Sequence, residues 1–228
     1  MASLTTPRVL QVRSLFGALI PYSRGLELQE ALAEAVKRHL LPDQLLLLQH
    51  DKVYTRGKRG SEGDFHASPQ QLRDWGIAVH DSPRGGETTY HGPGQLIAYP
   101  IVNLRAASLG ARAYVERLED TLIDTLGYYG IEAKGRIPGA TGVWVGDRKI
   151  AAIGVRISNG VASHGIALNV STDLSWFKHI IPCGAPDKGV TSVRDQVGGA
   201  ETPEMVAPIF AKCFAARFGY DAFSPYMS

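Results

Sequence analysis

Apolar residues recur every three or four positions in three long stretches of the chain, and this spacing predicts amphipathic helices. Pro42 follows the first stretch and Gly219 the last, and both residue types commonly end helices. Ser68 and Pro69 predict a further, short helix as its N-cap and first turn, and Gly76 ends it. The four predicted helices run over Ser23–Leu40, Ser68–Gly76, Ser108–Leu126 and Thr202–Gly219.

Shorter apolar runs bounded by turn residues predict strands. Gly146-Asp147 fits a tight hairpin turn, and Asn159-Gly160 supplies the next turn, so the last three strands form a meander. Helices interspersed with such a sheet predict an α/β (α+β) fold, with a mixed sheet and flanking helices rather than a regular βαβ repeat. The predicted strands are Val9–Leu15, Gln44–His50, Ile77–His80, Gln95–Val102, Gly142–Val145, Lys149–Ser158 and Ser163–Val170.

Loops are expected at Gly57–Ser68, Pro182–Gly199 and Arg84–Gln95. The last of these is rich in glycine, which lets a ligand or another chain approach the backbone closely, although it matches neither a dinucleotide fingerprint nor a P-loop. A turn-rich connection with a solvated arginine explains it equally well. No repeat or long linker divides the chain, so residues 1–228 are expected to form a single domain.

Composition excludes several classes of protein. Apolar residues make up 44% of the chain, and the formal net charge is +2, so neither disorder nor nucleic-acid binding is expected. No apolar run is long enough to span a membrane, and the start of the chain does not resemble a signal peptide. Two cysteines without a C-x-x-C pair form neither a disulfide framework nor a zinc site. We therefore expect a cytoplasmic protein with free thiols.

The two cysteines differ in their surroundings. Cys213 lies between Phe210 and Phe214 in a predicted helix and is expected to be an inert, packed thiol. Cys183 lies between prolines in a predicted loop, beside the open backbone of Gly184, and is the better candidate for a nucleophile. A small buried apolar role is the alternative for Cys183, and spacing alone favours it.

Lys149 begins a predicted strand in which Ala151, Ile153, Val155 and Ile157 share its face if the alternation is regular. A lysine in line with apolar side chains is partly desolvated, which favours its neutral, proton-accepting form. The alternative is that Lys149 lies at the strand end and extends to water.

The seven histidines show no metal-ligand spacing, and no metal is expected. His164 could lie beside the glycine-rich segment or only satisfy local hydrogen bonds. A basic group in the first loop, Lys52, Arg56, Lys58 and Arg59, could dock an acidic protein, or could be a solvated face.

Four ordered motifs together resemble the octanoyltransferase (lipoyl(octanoyl)transferase) family. They are Arg84-Gly85-Gly86 through Thr89-Tyr90-His91-Gly92-Pro93-Gly94-Gln95; Gly142-Val143-Trp144 with Lys149-Ile150-Ala151-Ala152-Ile153-Gly154; His164-Gly165-Ile166-Ala167-Leu168-Asn169; and Pro182-Cys183-Gly184 with Val190-Thr191-Ser192.

The resemblance implies a catalytic domain like that of biotin and lipoate protein ligases, acting without ATP, metal or other cofactor. It implies that Cys183 is the acyl-thioester nucleophile and Lys149 its partner. The implied donor is octanoyl-acyl carrier protein, and the implied acceptor is a lysine of a lipoyl domain of 2-oxoacid dehydrogenases or of the glycine-cleavage H protein. The residues implied to line the acyl site are Arg84, Gly85, Gly86, Glu87, Thr88, Thr89, Tyr90, His91, Ala152, Ile153, Gly154, Gly165, Ile166 and Ala167.

In this hypothesis Lys149 accepts the thiol proton, Cys183 attacks the carrier thioester, and the acceptor lysine then takes the acyl group. The small residues of the implied site, glycines and alanines, are expected to leave volume for a linear chain. The alternatives are a lipoyl relay amidotransferase, an ATP-dependent lipoate or biotin ligase, and a non-catalytic module that binds acyl carriers.

Overall fold

The computed structural model describes residues 7–181 and 189–226. Its larger sheet has seven strands: β1 (Val9–Ile20), β2 (Asp43–His50), β6 (Gln95–Asn103), β7 (Val143–Val145), β8 (Arg148–Ser158), β9 (Val161–Asn169) and β10 (Ala222–Tyr226). They lie in the order β10-β1-β2-β6-β9-β8-β7, with β1 parallel to both β2 and β10 and the remaining pairs antiparallel. A mixed sheet with flanking helices is therefore confirmed.

The central strands of this sheet are buried on both faces. In β2, Leu45 and Leu47 belong to one apolar cluster and Leu46 and Leu48 to the other, because alternate side chains point to opposite faces. The first cluster includes two long helices, α3 (Ala111–Gly127) and α5 (Pro203–Phe218), and the second includes α1 (Tyr22–Lys37). We call these two sides the α3/α5 face and the α1 face.

A smaller sheet carries the glycine-rich segment. Its strands lie in the order β4-β3-β5, with β3 (Val53–Arg56) central, β4 (Ala78–Asp81) parallel to it and β5 (Thr88–His91) antiparallel to it. The expectation of one continuous loop over Arg84–Gln95 is therefore wrong, since its centre is a buried strand.

Local signals in the sequence place the long helices and the hairpin turns well, but the strands β3 and β10 are absent from the prediction. Gly146 and both residues of the Asn159-Gly160 turn have positive φ, which confirms the two hairpin turns and the β7-β8-β9 meander. The short helix α2 (Pro69–Asp74) has the predicted Ser68 cap. The loop expected over Pro182–Gly199 is partly wrong: residues 182–188 lie outside the described residues, and α4 (Val193–Val197) follows them.

Candidate active site

A cavity of about 220 Å³ lies beside the β8–β9 hairpin, between the two sheets, and we call it the first cavity. Its other walls, which the sequence did not suggest, include Tyr22, Tyr99, Val115 and the segment 139–141. The sequence-predicted site residues that line it are Arg84, Gly85, Gly86, Glu87, Thr89, His91, Lys149, Ala152, Ile153, Gly154, His164, Gly165, Ile166 and Ala167.

Two residues of the predicted site lie on the far side of β5. Because side chains alternate along a strand, Thr89 and His91 face the first cavity and Thr88 and Tyr90 do not. The Thr88 hydroxyl donates to Asp64 at 2.6 Å, and Tyr90 packs in a separate apolar cluster under the smaller sheet. The structure therefore gives Thr88 and Tyr90 supporting roles rather than lining ones.

Lys149 reaches the first cavity through a β-bulge. Trp144 pairs with Lys149 while Val143 pairs with Ala151, so Ile150 is an extra residue in β8. Ile150 and Ala151 both belong to the α3/α5 cluster, and Lys149 lies on the opposite, α1 face. The expectation that Lys149 shares a face with Ala151 is therefore wrong, because the bulge reverses the alternation.

The Lys149 side chain is buried, with 7% of its surface exposed. Its ammonium nitrogen lies 4.8 Å from the centroid of the Trp144 ring, a cation–π contact. None of the ion pairs found within residues 7–181 and 189–226 includes Lys149. An amine held this way retains a lone pair that is available for proton transfer once it is deprotonated.

His164 is turned onto the α1 face by its backbone. It has a φ of 56°, in the left-handed region that few residues other than glycine adopt. Its neighbours Ala162 and Ile166 belong to the α3/α5 cluster, yet the His164 ring packs edge-on against Tyr99, at 6.0 Å between centroids, on the opposite face. Opposite this distortion lies Pro100, which has no N–H to give to the ladder.

A chain of directed hydrogen bonds crosses the site. The Arg84 guanidinium donates to the carbonyl and hydroxyl of Thr55, at 2.8 and 2.7 Å, and that hydroxyl donates to Nε2 of His91 at 3.2 Å. Nδ1 of His91 then donates to Gln95 at 2.8 Å. Burial, with His50 and Arg84 nearby, lowers the pKa of His91 well below its usual value, so the ring is neutral and both its nitrogens are engaged.

The same series of hydrogen bonds continues to the backbone beside Lys149. The Gln95 amide donates to Asn169 at 3.0 Å, and the Asn169 amide donates to the carbonyl of Thr191 at 3.1 Å. The Thr191 N–H donates to the carbonyl of Lys149, and the Lys149 N–H to that of Gly189. We call the set from Arg84 to Thr191 the polar network; it fixes the segment 189–191 against β8.

A buried carboxylate holds the wall formed by 139–141. Glu119, on α3, accepts hydrogen bonds from the backbone of Arg136 at 3.0 Å and of Gly142 at 3.1 Å. The Trp144 indole donates to the carbonyl of Ala140 at 3.0 Å. Glu119 therefore positions this wall and the residues that lead into β7.

Two of the glycines that were expected to leave space for an acyl chain are instead required by close backbone packing. A Cβ on Gly154 would lie 2.9 Å from the carbonyl oxygen of Gly85 and 3.1 Å from Cδ of Arg84, because the glycine-rich segment crosses β8 there. A Cβ on Gly165 would lie 2.3 Å from the carbonyl oxygen of Ala98. The open part of the floor is provided by Ala152 and Ala167, which face each other across β8 and β9.

The candidate nucleophile Cys183 lies outside the described residues. The described chain on either side of it is anchored near the site. The N–H of Ile181 donates to the carbonyl of Asp64, and Gly189 accepts from Lys149. The other cysteine, Cys213, lies on α5, where burial raises the pKa of its thiol, as expected for an inert residue.

The basic group of the first loop is largely paired. Arg56 forms ion pairs with Asp81 and Glu62, and Arg59 pairs with Glu87. The Lys52 ammonium lies 4.4 Å from the centroid of a Trp176 ring. The positive field available to an acidic partner is therefore smaller than the sequence suggests.

Within the described ranges, no three histidine, cysteine or acidic side chains are grouped so as to hold a metal ion. Among these same residues, no helix has the length and hydropathy needed to cross a membrane.

Solved structures of lipoate protein ligases share this fold. Lipoate-protein ligase A bound with ATP superposes with a TM-score of 0.74 at 16% identity, covering 98% of this chain and 90% of that chain. A bi-partite lipoate protein ligase from Thermoplasma acidophilum superposes with a TM-score of 0.69 at 17% identity, covering 97% of this chain and 87% of that chain.

Sequence comparison identifies the family. Residues 21–215 match the lipoyl protein ligase A/B catalytic domain, and the chain belongs to this family. Mitochondrial octanoyltransferase LIP2 of Arabidopsis thaliana is 44% identical over 219 residues, which are 96% of this chain and 92% of the relative. An octanoyltransferase of Solibacter usitatus (strain Ellin6076) is 50% identical over 202 residues, 89% and 90% of the two chains.

Proposed function

We propose that this protein is an acyltransferase that moves an octanoyl group from octanoyl-acyl carrier protein to a lysine of a lipoyl domain, with residues 1–228 acting as one catalytic domain. The observation that carries the proposal is the buried Lys149 without an ion-pair partner among the described residues, held by a β-bulge at one end of a cavity whose floor carries Ala152 and Ala167. Relatives named octanoyltransferase over most of their length support the same activity.

The proposed first step acylates Cys183. Lys149 accepts the thiol proton, and the thiolate attacks the carbonyl carbon of the carrier thioester. Backbone N–H groups stabilise the resulting oxyanion. The bond from that carbon to the carrier sulfur then breaks, and the carrier leaves as a thiol with the proton from Lys149. One thioester is exchanged for another, so the step needs no nucleotide.

The second step transfers the acyl group to nitrogen. The neutral amine of the acceptor lysine attacks the Cys183 thioester, an amide bond forms, and the sulfur of Cys183 leaves. Lys149 takes a proton from the attacking amine and returns it to the sulfur. An amide is more stable than a thioester, so this step runs downhill.

The chain near Cys183 supports its pairing with Lys149. Ile181 and Gly189 are the described residues on either side, two and six positions away in the sequence. Gly189 and Thr191 are hydrogen-bonded to Lys149 itself. Histidine bases are less suited: both ring nitrogens of His91 are engaged, and burial, with Arg84 and Arg156 nearby, lowers the pKa of His164 to about 4.

The proposed acceptors are lipoyl domains of 2-oxoacid dehydrogenases and the glycine-cleavage H protein. The T. acidophilum structure belongs to an archaeal lipoylation system described as a bi-partite lipoate protein ligase and its E2 lipoyl domain, which supports an acceptor of this kind. A cytoplasmic location was expected from the sequence; it stays a prediction, and one relative is mitochondrial.

Octanoyl transfer in the absence of ATP tests the proposal. Purified protein is mixed with octanoyl-acyl carrier protein and a lipoyl domain, and the mass of the domain is followed with and without ATP. We expect a gain of one octanoyl group at the same rate in both. Transfer that requires ATP and free octanoate would identify a ligase, and transfer only from an already acylated lipoyl domain would identify a relay amidotransferase.

A further inference from the structure

A second cavity, of about 240 Å³, lies between α1 and the turn that joins β8 to β9. His164 lines both cavities, and within the described ranges it is the one residue that does. The residue is buried, with 3% of its surface exposed, and its backbone N–H donates to the side-chain oxygen of Gln29 on α1 at 2.7 Å. His164 is thus the partition between the two spaces.

His164 and Lys149 lie at opposite ends of the first cavity. His164 pairs with Val155, six residues beyond Lys149 in β8. Since the bulge removes one residue from the strand length, the separation along β8 is about 16 Å at ~3.3 Å per residue. The floor between them carries the methyl groups of Ala152 and Ala167.

The position of the ring depends on a strained backbone. A regular β9 would point His164 toward the α3/α5 face, and only its left-handed conformation brings the ring to the cavity. A non-glycine residue in that conformation costs stability, so a fold keeps it where the surrounding structure or a function requires it.

The space beyond the partition is polar. Glu30, Glu34, Lys37 and Arg156 line the second cavity, and the amide nitrogen of Gln29 is buried there without a hydrogen-bond partner. Methylene groups that passed the ring would leave the alanine floor and meet these charged and polar groups. The ring and the polar lining therefore oppose a longer chain together.

We propose that His164 sets the upper limit on the length of the linear acyl chain by closing the end of the first cavity away from Lys149. The inference rests on the proposed function, which places the acyl carbonyl near Lys149 and the methyl end toward His164. Chains that reach the ring are accepted, and longer ones must displace it.

The test compares His164→Gly, which adopts the same backbone conformation without a side chain, with His164→Phe, which retains a ring of similar size. Binding of octanoate, dodecanoate and hexadecanoate is measured by calorimetry, and a thermal unfolding scan shows that each variant is folded. Because the distance to the ring accommodates a chain of about twelve carbons, we expect affinity for the wild type and His164→Phe to fall by ~10-fold or more from dodecanoate to hexadecanoate. In His164→Gly we expect the fall to disappear, with hexadecanoate gaining ~10-fold or more relative to dodecanoate.

A folded His164→Gly with the wild-type order and ratios of affinity would overturn the proposal, as would a wild type that binds none of the three acids or binds hexadecanoate as well as dodecanoate. A wild type that binds the acids in the expected order but transfers no octanoyl group would contradict the proposed function. The role of His164 as a partition would then be decided by the binding ratios alone.

Discussion

Replacing Gln95 with methionine, which has similar length, breaks the polar network at its centre. Gln95 is 1% exposed; its oxygen accepts from His91, and its amide donates to the carbonyl of Tyr90 and to Asn169. Methionine satisfies none of these three buried groups, each worth about 1–3 kcal/mol when orphaned. Burial of the apolar methionine side chain offsets part of this cost. We therefore expect the free energy of unfolding to fall by about 3–5 kcal/mol.

Urea unfolding at neutral pH measures this loss. The control is Gln70→Met on α2, where the side chain makes only exposed hydrogen bonds, and there we expect a change of about 0.5 kcal/mol or less. Hydrogen exchange gives a second readout, because the N–H of Thr191 should exchange faster once Asn169 no longer holds its carbonyl. A loss in Gln95→Met no larger than in the control would refute the claim that this network fixes the segment beside Lys149.

Three further predictions follow from the same contacts. Lys149→Arg keeps the charge but cannot accept a proton, so octanoyl transfer should fall by about 10²–10⁴-fold, as in Lys149→Met; a near-normal rate in the arginine variant would exclude Lys149 as the base. Glu119→Ala orphans two backbone N–H groups and should cost about 3–5 kcal/mol in urea unfolding, with Glu119→Gln intermediate because one acceptor remains. Burial lowers the pKa of His50 and of His164 to about 4 and that of His91 well below its usual value, so between about pH 6.5 and 4 the unfolded state binds more protons than the folded state. Stability should therefore fall by roughly 6 kcal/mol from pH 7 to pH 5, a loss that His50→Gln should reduce by about a third; a pH-independent urea midpoint would contradict this.

Elements with strong local signals were predictable. The long helices follow from three- and four-residue spacing, and Gly146-Asp147 and Asn159-Gly160 define their turns without tertiary information. The strand Thr88–His91 was missed because it is four residues long and lies among glycines. The helix Val193–Val197 has a capping serine at Ser192 and a left-handed glycine after it, but a single turn is too short for periodicity to detect.

The orientation of the site residues could not be predicted from alternation. The residue types at 149 and 164 indicated chemistry, but a bulge and a left-handed residue decide which face each side chain occupies. Both irregularities depend on contacts with other strands. Thr55, Asn169 and Glu119 were likewise missed, because their roles depend on partners far away in the sequence.

The intact mass of the protein after incubation with octanoyl-acyl carrier protein, without ATP or acceptor, tests the central claim most directly. We predict the gain of one octanoyl group, released by hydroxylamine as a thioester, that is absent in Cys183→Ala and present in Cys213→Ala. No adduct on the wild-type protein with the donor still intact, or an adduct that persists in Cys183→Ala, would contradict acyl transfer through Cys183.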